Sequence, residues 1–134
     1  MIDAHSALIY TMVLVSASDR EMTDSELQTM GGIVTHLPVF RGYDAARLTA
    51  TARECAELMD DPDGLDKAFE LIAGGLPPRL HETAYALACD VAAADGRVSQ
   101  EELRLLEMLR HRLEVGRLPA AAIERGARAR YMAP

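Results

Sequence analysis

Three features of the sequence predict an all-α fold, a compact bundle of about seven helices. Ala supplies 22 of the 134 residues and Leu 17, whereas Val and Ile together supply 12; Ala and Leu favour helices, and β-branched residues favour strands. Apolar residues recur at steps of three and four along most of the chain, as they do on the buried face of a helix. Pro and Gly divide the chain into short segments. Its length predicts a single domain over residues 1–134, because domains usually have about 100–200 residues.

The first two predicted helices cover residues 4–18 and 24–37. The second ends at Leu37 because Pro38 follows, and a residue before proline resists the helical conformation. Within it, Gly31 and Gly32 are predicted to mark a close contact with another helix or a kink, since glycine is otherwise unfavourable in a helix.

Five further helices follow. Asp44 is the expected N-cap of the third, and Pro62 is the expected first residue of the fourth, a position that suits proline. Pro77 and Pro78 break the chain before the fifth. The predicted ranges of these helices are 44–59, 62–76, 79–94, 100–115 and 119–131. We expect the sixth to bury Leu103, Leu106, Leu109 and Leu113, and the seventh to bury Ile123, Ala127 and Tyr131.

An internal duplication is visible when the chain is shifted by 76 residues, which places residues 5–37 over residues 81–113. Seven positions are identical, and several of them cluster where the first helix of each pair turns into the second. The aligned identities are His5/His81, Val15/Val91, Ala17/Ala93, Asp19/Asp95, Glu26/Glu102, Leu27/Leu103 and Leu37/Leu113. The sequence therefore predicts two equivalent helical hairpins.

The duplicated turns have two interpretations, of which the first is structural. Thr23 with Glu26, and Ser99 with Glu102, have the spacing of capping boxes, in which a hydroxyl and a carboxylate cap the start of a helix. On this interpretation the acidic residues are helix caps and turns, and the protein is an interaction module.

The second interpretation is a cation site formed by Asp19, Glu26, Asp95 and Glu102. Asp19 and Asp95 are expected at the C-terminal ends of helices, where the helix dipole disfavours a carboxylate, and either a bound metal ion or an Arg side chain would compensate. Carboxylate oxygens favour Ca²⁺ or Mg²⁺ over Zn²⁺. The spacing is not that of an EF-hand, because two of the positions that need carboxylates hold Val and Ala in each copy.

Residues 86–102, an Ala-rich helix ending in Ala94-Asp95-Gly96 with Glu102 seven residues after the Asp, resemble the signature of the tellurite-resistance TerB-like family. Residues 15–26 resemble a degenerate first copy, with Arg20 in place of the glycine. The resemblance implies a compact helical domain with clustered acidic residues, a divalent-cation site at the four residues above, and a role in tellurite or stress resistance. The sequence shows no glycine-rich phosphate loop, no zinc-ligand spacing and no evident nucleophile, so we expect a non-enzymatic protein. A related domain lies N-terminal to the J-domain of some membrane-anchored co-chaperones, where it resembles an interaction module.

Charge, cysteine content and the apolar N-terminal run limit the kinds of partner and the cellular location that we expect. The net charge of −7 disfavours nucleic acid, but residues 104–134 alone carry +4, with seven Arg and three Glu. These arginines suit a solvated final helix with cations near its negative end, and an anionic partner or a neighbouring acidic surface is the alternative. We expect a protein partner or self-association, and no nucleic acid. Cys55 and Cys89 are too few for a disulfide framework. No basic residue precedes the apolar run at residues 7–15, which is also too short to cross a bilayer, so we expect a cytoplasmic protein without membrane insertion.

Overall fold

Seven α-helices form the part of the chain that the structure, a computed structural model, describes: residues 1–16, 22–94, 96 and 98–134. No strand occurs within those residues, which confirms the predicted all-α class. Short 3₁₀ turns lie at Pro38–Phe40, Ala45–Arg47 and Pro78–Leu80. The helices are α1 (Ala4–Ser16), α2 (Asp24–His36), α3 (Leu48–Leu58), α4 (Gly64–Gly75), α5 (His81–Ala94), α6 (Gln100–Arg112) and α7 (Arg117–Arg130).

Helices α1 and α5 pack against each other at the centre of the molecule. Every residue of α1 from Ala7 to Ser16 is buried, as expected for a helix that is apolar on all sides. The hydroxyls of Thr11 and Ser16 donate to the carbonyls of Ala7 and Met12 at 2.8 and 2.9 Å. Helices α3 and α4 also pack on α1, α7 packs on α5, and α6 packs on both α1 and α5.

The second helices of the two hairpins confirm the predicted duplication. Helices α2 and α6 each have 13 residues, and both begin and end 76 positions apart. Each is preceded by a residue that forms a complete capping box, Thr23 in the first copy and Ser99 in the second. The same sequence pattern has therefore produced the same local structure twice.

Several predicted helix ends differ from the structure because contacts elsewhere in the fold decide them. Helix α4 begins at Gly64 rather than at Pro62. Gly64 lies so close to α3 that a Cβ atom there would be 2.1 Å from the carbonyl oxygen of Leu58. Helix α6 ends at Arg112, before the predicted 115, and Glu114 then adopts a positive φ of 54°.

The prediction of a close contact at the glycine pair of α2 is wrong. A Cβ atom added at Gly31 or at Gly32 would meet no atom within 4 Å. Cys55 and Cys89, in contrast, are free and buried in the core, as small apolar residues would be. Among the described residues, none of the helices has the length and apolar character required to cross a bilayer.

Candidate functional site

The two turns predicted to hold a cation are described in part. Asp19 and Asp95 lie outside the described residues, whereas Glu26 and Glu102 lie in the first turns of α2 and α6. Within the described residues, no group of three or more His, Cys, Asp or Glu side chains is placed to hold a metal ion. Two of the four predicted ligands are therefore described, each in its own turn, and the cation site stays a prediction.

Glu26 is a structural part of its turn. Its Oε1 atom accepts hydrogen bonds from the backbone N–H of Thr23 at 2.9 Å and from the Thr23 hydroxyl at 3.0 Å. The Thr23 hydroxyl in turn accepts from the N–H of Glu26 at 3.1 Å. The Glu26 side chain is only 5% exposed, so the site is nearly closed to solvent. There, a single carboxylate oxygen accepts both hydrogen bonds from Thr23.

The second turn has the same geometry with more exposure. Oε1 of Glu102 accepts from the N–H of Ser99 at 3.1 Å, and the Ser99 hydroxyl accepts from the N–H of Glu102 at 3.1 Å. Gly96 has a φ of 74°, in the left-handed region that glycine adopts without strain. Its N–H donates to the carbonyl of Ala93 at 3.0 Å and so closes the end of α5.

The aligned histidines lie at matching places in the two hairpins. The Nε2 atom of His5 is 3.0 Å from the carbonyl oxygen of Val39, and Nδ1 of His81 is 2.9 Å from that of Leu113. Both carbonyls follow the second helix of the hairpin, so each histidine ties the start of one helix to the end of the next. Both rings are half-buried. The sequence shows that His5 and His81 are equivalent in the duplication, but it does not predict their contacts with the carbonyl oxygens.

A groove between α5, α6 and α7, which we call the α5–α7 groove, lies beside the second turn. It has a volume of about 560 Å³. Helices α6 and α7 both pack on α5 but make few contacts with each other in the described part of the chain, and the groove occupies the space between them. Three small residues of its wall, Ala92, Ala93 and Ala127, leave that space unfilled.

Exposed apolar side chains form the rim of the α5–α7 groove. Leu103 is 49% exposed and Met132 is 64% exposed, and Val98 and Tyr131 are also exposed. The prediction that α6 buries Leu103 and α7 buries Tyr131 is therefore wrong. The spacing of Leu103 and Tyr131 along their helices suits a buried stripe, but no element of the described chain covers these two side chains. Exposed apolar residues grouped around a groove are typical of a binding surface.

A polar pair joins α5 to the α7 wall of the groove. The hydroxyl of Tyr85 donates a hydrogen bond to Oε2 of Glu124. Burial and this bond raise the pKa of Tyr85, and burial raises the pKa of Cys89, which also lines the groove, to about 12. Both groups are therefore protonated at neutral pH, which makes Cys89 a poor nucleophile.

Two arginines complete the polar part of the lining. Arg110 donates from Nη1 to the carbonyl of Val115 at 3.2 Å, which holds its side chain along the end of α6. Arg128 lies across the groove on α7, and Glu107 and Glu124 are the acidic members of the lining. The ion pairs of the described residues include neither arginine.

The first hairpin shows the equivalent stripe covered. Under the 76-residue shift, Met30 and Val34 of α2 take the places of Leu106 and Arg110. Both are buried, with Val34 only 3% exposed. The 3₁₀ turns at Pro38–Phe40 and Ala45–Arg47 pack against α2, whereas α6 is followed after four residues by α7. The α5–α7 groove is open because the second hairpin has no such segment.

Comparison with known proteins gives a match at the level of the family. The family model described as tellurite resistance protein TerB matches residues 5–125, which is nearly the whole chain. No curated protein and no solved structure matches the chain. The matched range includes both hairpins, both capping boxes and most of α7. The chain therefore belongs to the TerB family of tellurite-resistance proteins.

Proposed function

We propose that this chain is a non-enzymatic, tellurite-resistance-type protein that acts by binding a helical segment of a partner protein in the α5–α7 groove. The observation that carries the proposal is the ring of exposed apolar side chains around that groove, with Leu103 about half exposed. Monomeric proteins rarely expose such a group of apolar residues without a partner that covers it.

The shape of the groove favours a helix as the bound segment. Its α6 wall presents Leu103, Leu106, Glu107 and Arg110, and its α7 wall presents Glu124, Ala127, Arg128 and Tyr131. Both sets have the spacing i, i+3, i+4, i+7, which is the pattern of one helix face. Two such faces over the small residues of α5 form a trough in which a third helix packs by the usual ridges-into-grooves geometry.

A binding role suits the chemistry of the groove better than catalysis. Cys89 is the thiol in the groove that would serve as a nucleophile, and burial keeps it protonated, which makes it a poor one. Both thiols of the chain are free, which suits the reducing conditions of the cytoplasm, and we place the protein there.

A labelled amphipathic peptide tests the binding role. We suggest about 18 residues, long enough to populate a helix, with Leu at i, i+3, i+4 and i+7 and Gln elsewhere. Fluorescence anisotropy should show saturable binding that Leu103→Ser weakens. Leu118→Ser is the matched control, since Leu118 is 84% exposed and lies outside the groove. Absence of binding, or an equal loss in both variants, would overturn the proposal.

A second candidate function is the binding of a divalent cation, Ca²⁺ or Mg²⁺ before Zn²⁺, at Asp19, Glu26, Asp95 and Glu102. It is favoured by the equivalent positions of Glu26 and Glu102 in two turns of one geometry. Both glutamates already serve as caps, so a cation would have to share their carboxylates with the backbone.

Calorimetric titration of chelator-treated protein with each cation tests this second function. Binding predicts heat and a metal-dependent rise in thermal stability, both abolished by Asp95→Asn with Glu102→Gln. Glu101→Gln is the control, because Glu101 is an exposed neighbour on the same helix turn. No heat and no thermal shift at millimolar cation would show that the glutamates act only as caps.

A further inference from the structure

We infer that the helix bound in the α5–α7 groove is anchored by an aromatic side chain of the partner protein, which enters the end of the groove beside the second turn. This inference rests on the proposed function, because it names the residue type by which the partner is recognised at the same groove. It is carried by the lining residues at that end, which we call the anchor pocket: Ala92, Ala93, Val98, Leu103, Tyr131 and Met132.

Contacts between α5 and α7 place these residues at one end of the groove. The Tyr85 hydroxyl on α5 donates to Glu124 on α7. Further along both helices, Asp90 pairs with Arg130, so α5 and α7 run side by side in the same direction. The end of α5 is therefore level with the end of α7, and the first turn of α6, which follows the second turn directly, lies at the same end.

Charge does not select the ligand of this groove. Its lining contains two arginines and two glutamates, which balance: Arg110, Arg128, Glu107 and Glu124. None of the six residues of the anchor pocket is charged. The selectivity of the pocket therefore has to come from the size of the bound side chain and from aromatic contacts.

The size of the anchor pocket favours a large side chain. Ala92 and Ala93 contribute only methyl groups to its α5 side, and the groove as a whole, at about 560 Å³, has room for a ring. Leu103 is 49% exposed and Met132 is 64% exposed, because no described element of the chain covers them. A bulky side chain from the partner would cover both.

The chemistry of the anchor pocket favours an aromatic over an aliphatic side chain. Tyr131 offers a ring, and aromatic pairs are stabilised beyond the area that they bury. Met132 offers a thioether sulfur, which also makes favourable contacts with rings. Arg128, which lines the groove one turn earlier on α7, offers a guanidinium that suits the face of a ring. Such a contact already occurs in this chain, where the Arg112 guanidinium lies 5.1 Å from the centre of the Phe69 ring.

A second copy of this chain has no free aromatic side chain to serve as the anchor. The chain contains four Tyr, two Phe and no Trp. Both Phe side chains are buried in the core, as are Tyr10 and Tyr85. Tyr43 is half-buried against His5, and Tyr131 belongs to the anchor pocket itself. The aromatic anchor therefore comes from a different protein.

Four versions of the amphipathic peptide test the inference. At each Leu position in turn, the residue is kept or is replaced by Phe, cyclohexylalanine or Ala. Phe and cyclohexylalanine have rings of similar size, but only Phe is aromatic, so the comparison separates aromatic contacts from bulk. At the anchor position we expect the Phe peptide to bind about three- to tenfold more tightly than the cyclohexylalanine peptide, and the Ala peptide to bind most weakly.

Two variants of the protein locate the effect. Tyr131→Leu removes the ring but keeps an apolar side chain, and should bring the Phe and cyclohexylalanine peptides to within about twofold of each other. Ala93→Leu narrows the pocket and should weaken binding of the Phe peptide about tenfold. Tyr131 is exposed and Ala93 is half-buried, so both changes leave the core in place. Ala121→Leu is the matched control, because Ala121 is an exposed residue of α7 outside the groove.

The possible results separate the two proposals. If the Leu and Phe peptides bind equally and Leu103→Ser weakens both, the groove binds helices but the aromatic anchor is wrong. Equal binding of the cyclohexylalanine and Phe peptides, or a preference for Phe that Tyr131→Leu leaves unchanged, also overturns the inference. If no peptide binds, the proposed function fails together with it. Self-association in analytical ultracentrifugation that Leu103→Ser abolishes would assign the groove to a second copy and overturn the inference as well.

Discussion

Replacement of Gly32 by Ala is expected to stabilise the protein. Gly32 is exposed in the interior of α2, and an added Cβ atom would meet nothing within 4 Å. Glycine in a helix interior costs about 1 kcal/mol relative to alanine, because the unfolded chain loses more conformational freedom at glycine. With no contact to offset the gain, Gly32→Ala should raise the free energy of unfolding by about 0.5–1 kcal/mol.

The hydrogen bonds at the end of α2 do not reduce this expected gain. The Thr35 hydroxyl donates to the carbonyl oxygens of Gly31 and Gly32 at 2.8 and 3.1 Å, and Nδ1 of His36 lies 2.9 Å from that of Gly32. These contacts involve the carbonyl, whereas the new methyl group projects into open space. The substitution therefore changes the entropy of the unfolded chain and leaves the folded contacts in place.

Urea unfolding followed by circular dichroism at 222 nm measures the effect. A gain of 0.5–1 kcal/mol should raise the midpoint by about 0.3–0.5 M at an unchanged slope, taking a slope of about 2 kcal/mol/M. Gly64→Ala is the matched control: its Cβ would lie 2.1 Å from the Leu58 carbonyl oxygen, so we expect a loss of about 1–3 kcal/mol. A lower midpoint for Gly32→Ala would refute the reasoning and restore the close contact predicted at this glycine pair.

Three further predictions follow from the caps, the buried thiols and the C-terminal ion pair. Ser99→Ala should lower the free energy of unfolding by about 1 kcal/mol, equally with and without Ca²⁺ or Mg²⁺, and a metal-dependent loss would contradict a purely capping role. Burial raises the pKa values of Cys55 and Cys89 from 9.0 to about 12. The thiols ionise at a lower pH in the unfolded chain than in the folded one. Their contribution to stability is therefore complete below pH 9 and is lost as the pH rises towards 12. The free energy of unfolding, measured from pH 8 to 11, should fall less steeply with pH in a double Cys→Ala variant than in the original protein. Arg130→Ala should destabilise by less than about 1 kcal/mol in thermal unfolding, because its pair with Asp90 is largely solvent-exposed on the arginine side.

The fold was largely predictable from the sequence because helical periodicity and proline positions are local signals. The capping boxes at Thr23 and Ser99 were predicted for the same reason, since a cap needs residues three positions apart. The start of α4 was missed because a contact decides it: Gly64 has to lie against Leu58. Local patterns predict elements, whereas the packing between elements adjusts their ends.

The α5–α7 groove was not predictable because it depends on how α6 and α7 are spaced on α5 in the fold. Leu103 has the spacing of a buried residue, and nothing in its own sequence neighbourhood distinguishes it from Leu106. The spacing of Glu124 and Arg128 on α7 was visible, but only the fold shows that these side chains face Glu107 and Arg110 on α6 across a gap. A charged pair within an otherwise apolar helical stripe is the signal that could have indicated a surface rather than a core.

The two hairpins together explain why an open groove is compatible with a stable fold. Each hairpin has the same capped second helix, so the cap stabilises α6 whether or not its outer stripe is covered. Where the chain covers the stripe, position 34 is a buried Val; where it does not, the equivalent position 110 is an Arg that reaches a backbone carbonyl. The Arg lowers the cost of exposing this end of the stripe to water, because its charge stays solvated while its aliphatic part lies on the apolar surface. A helix that fills the groove from Leu103 to the end of α6 must therefore also make contact with Arg110 or displace it.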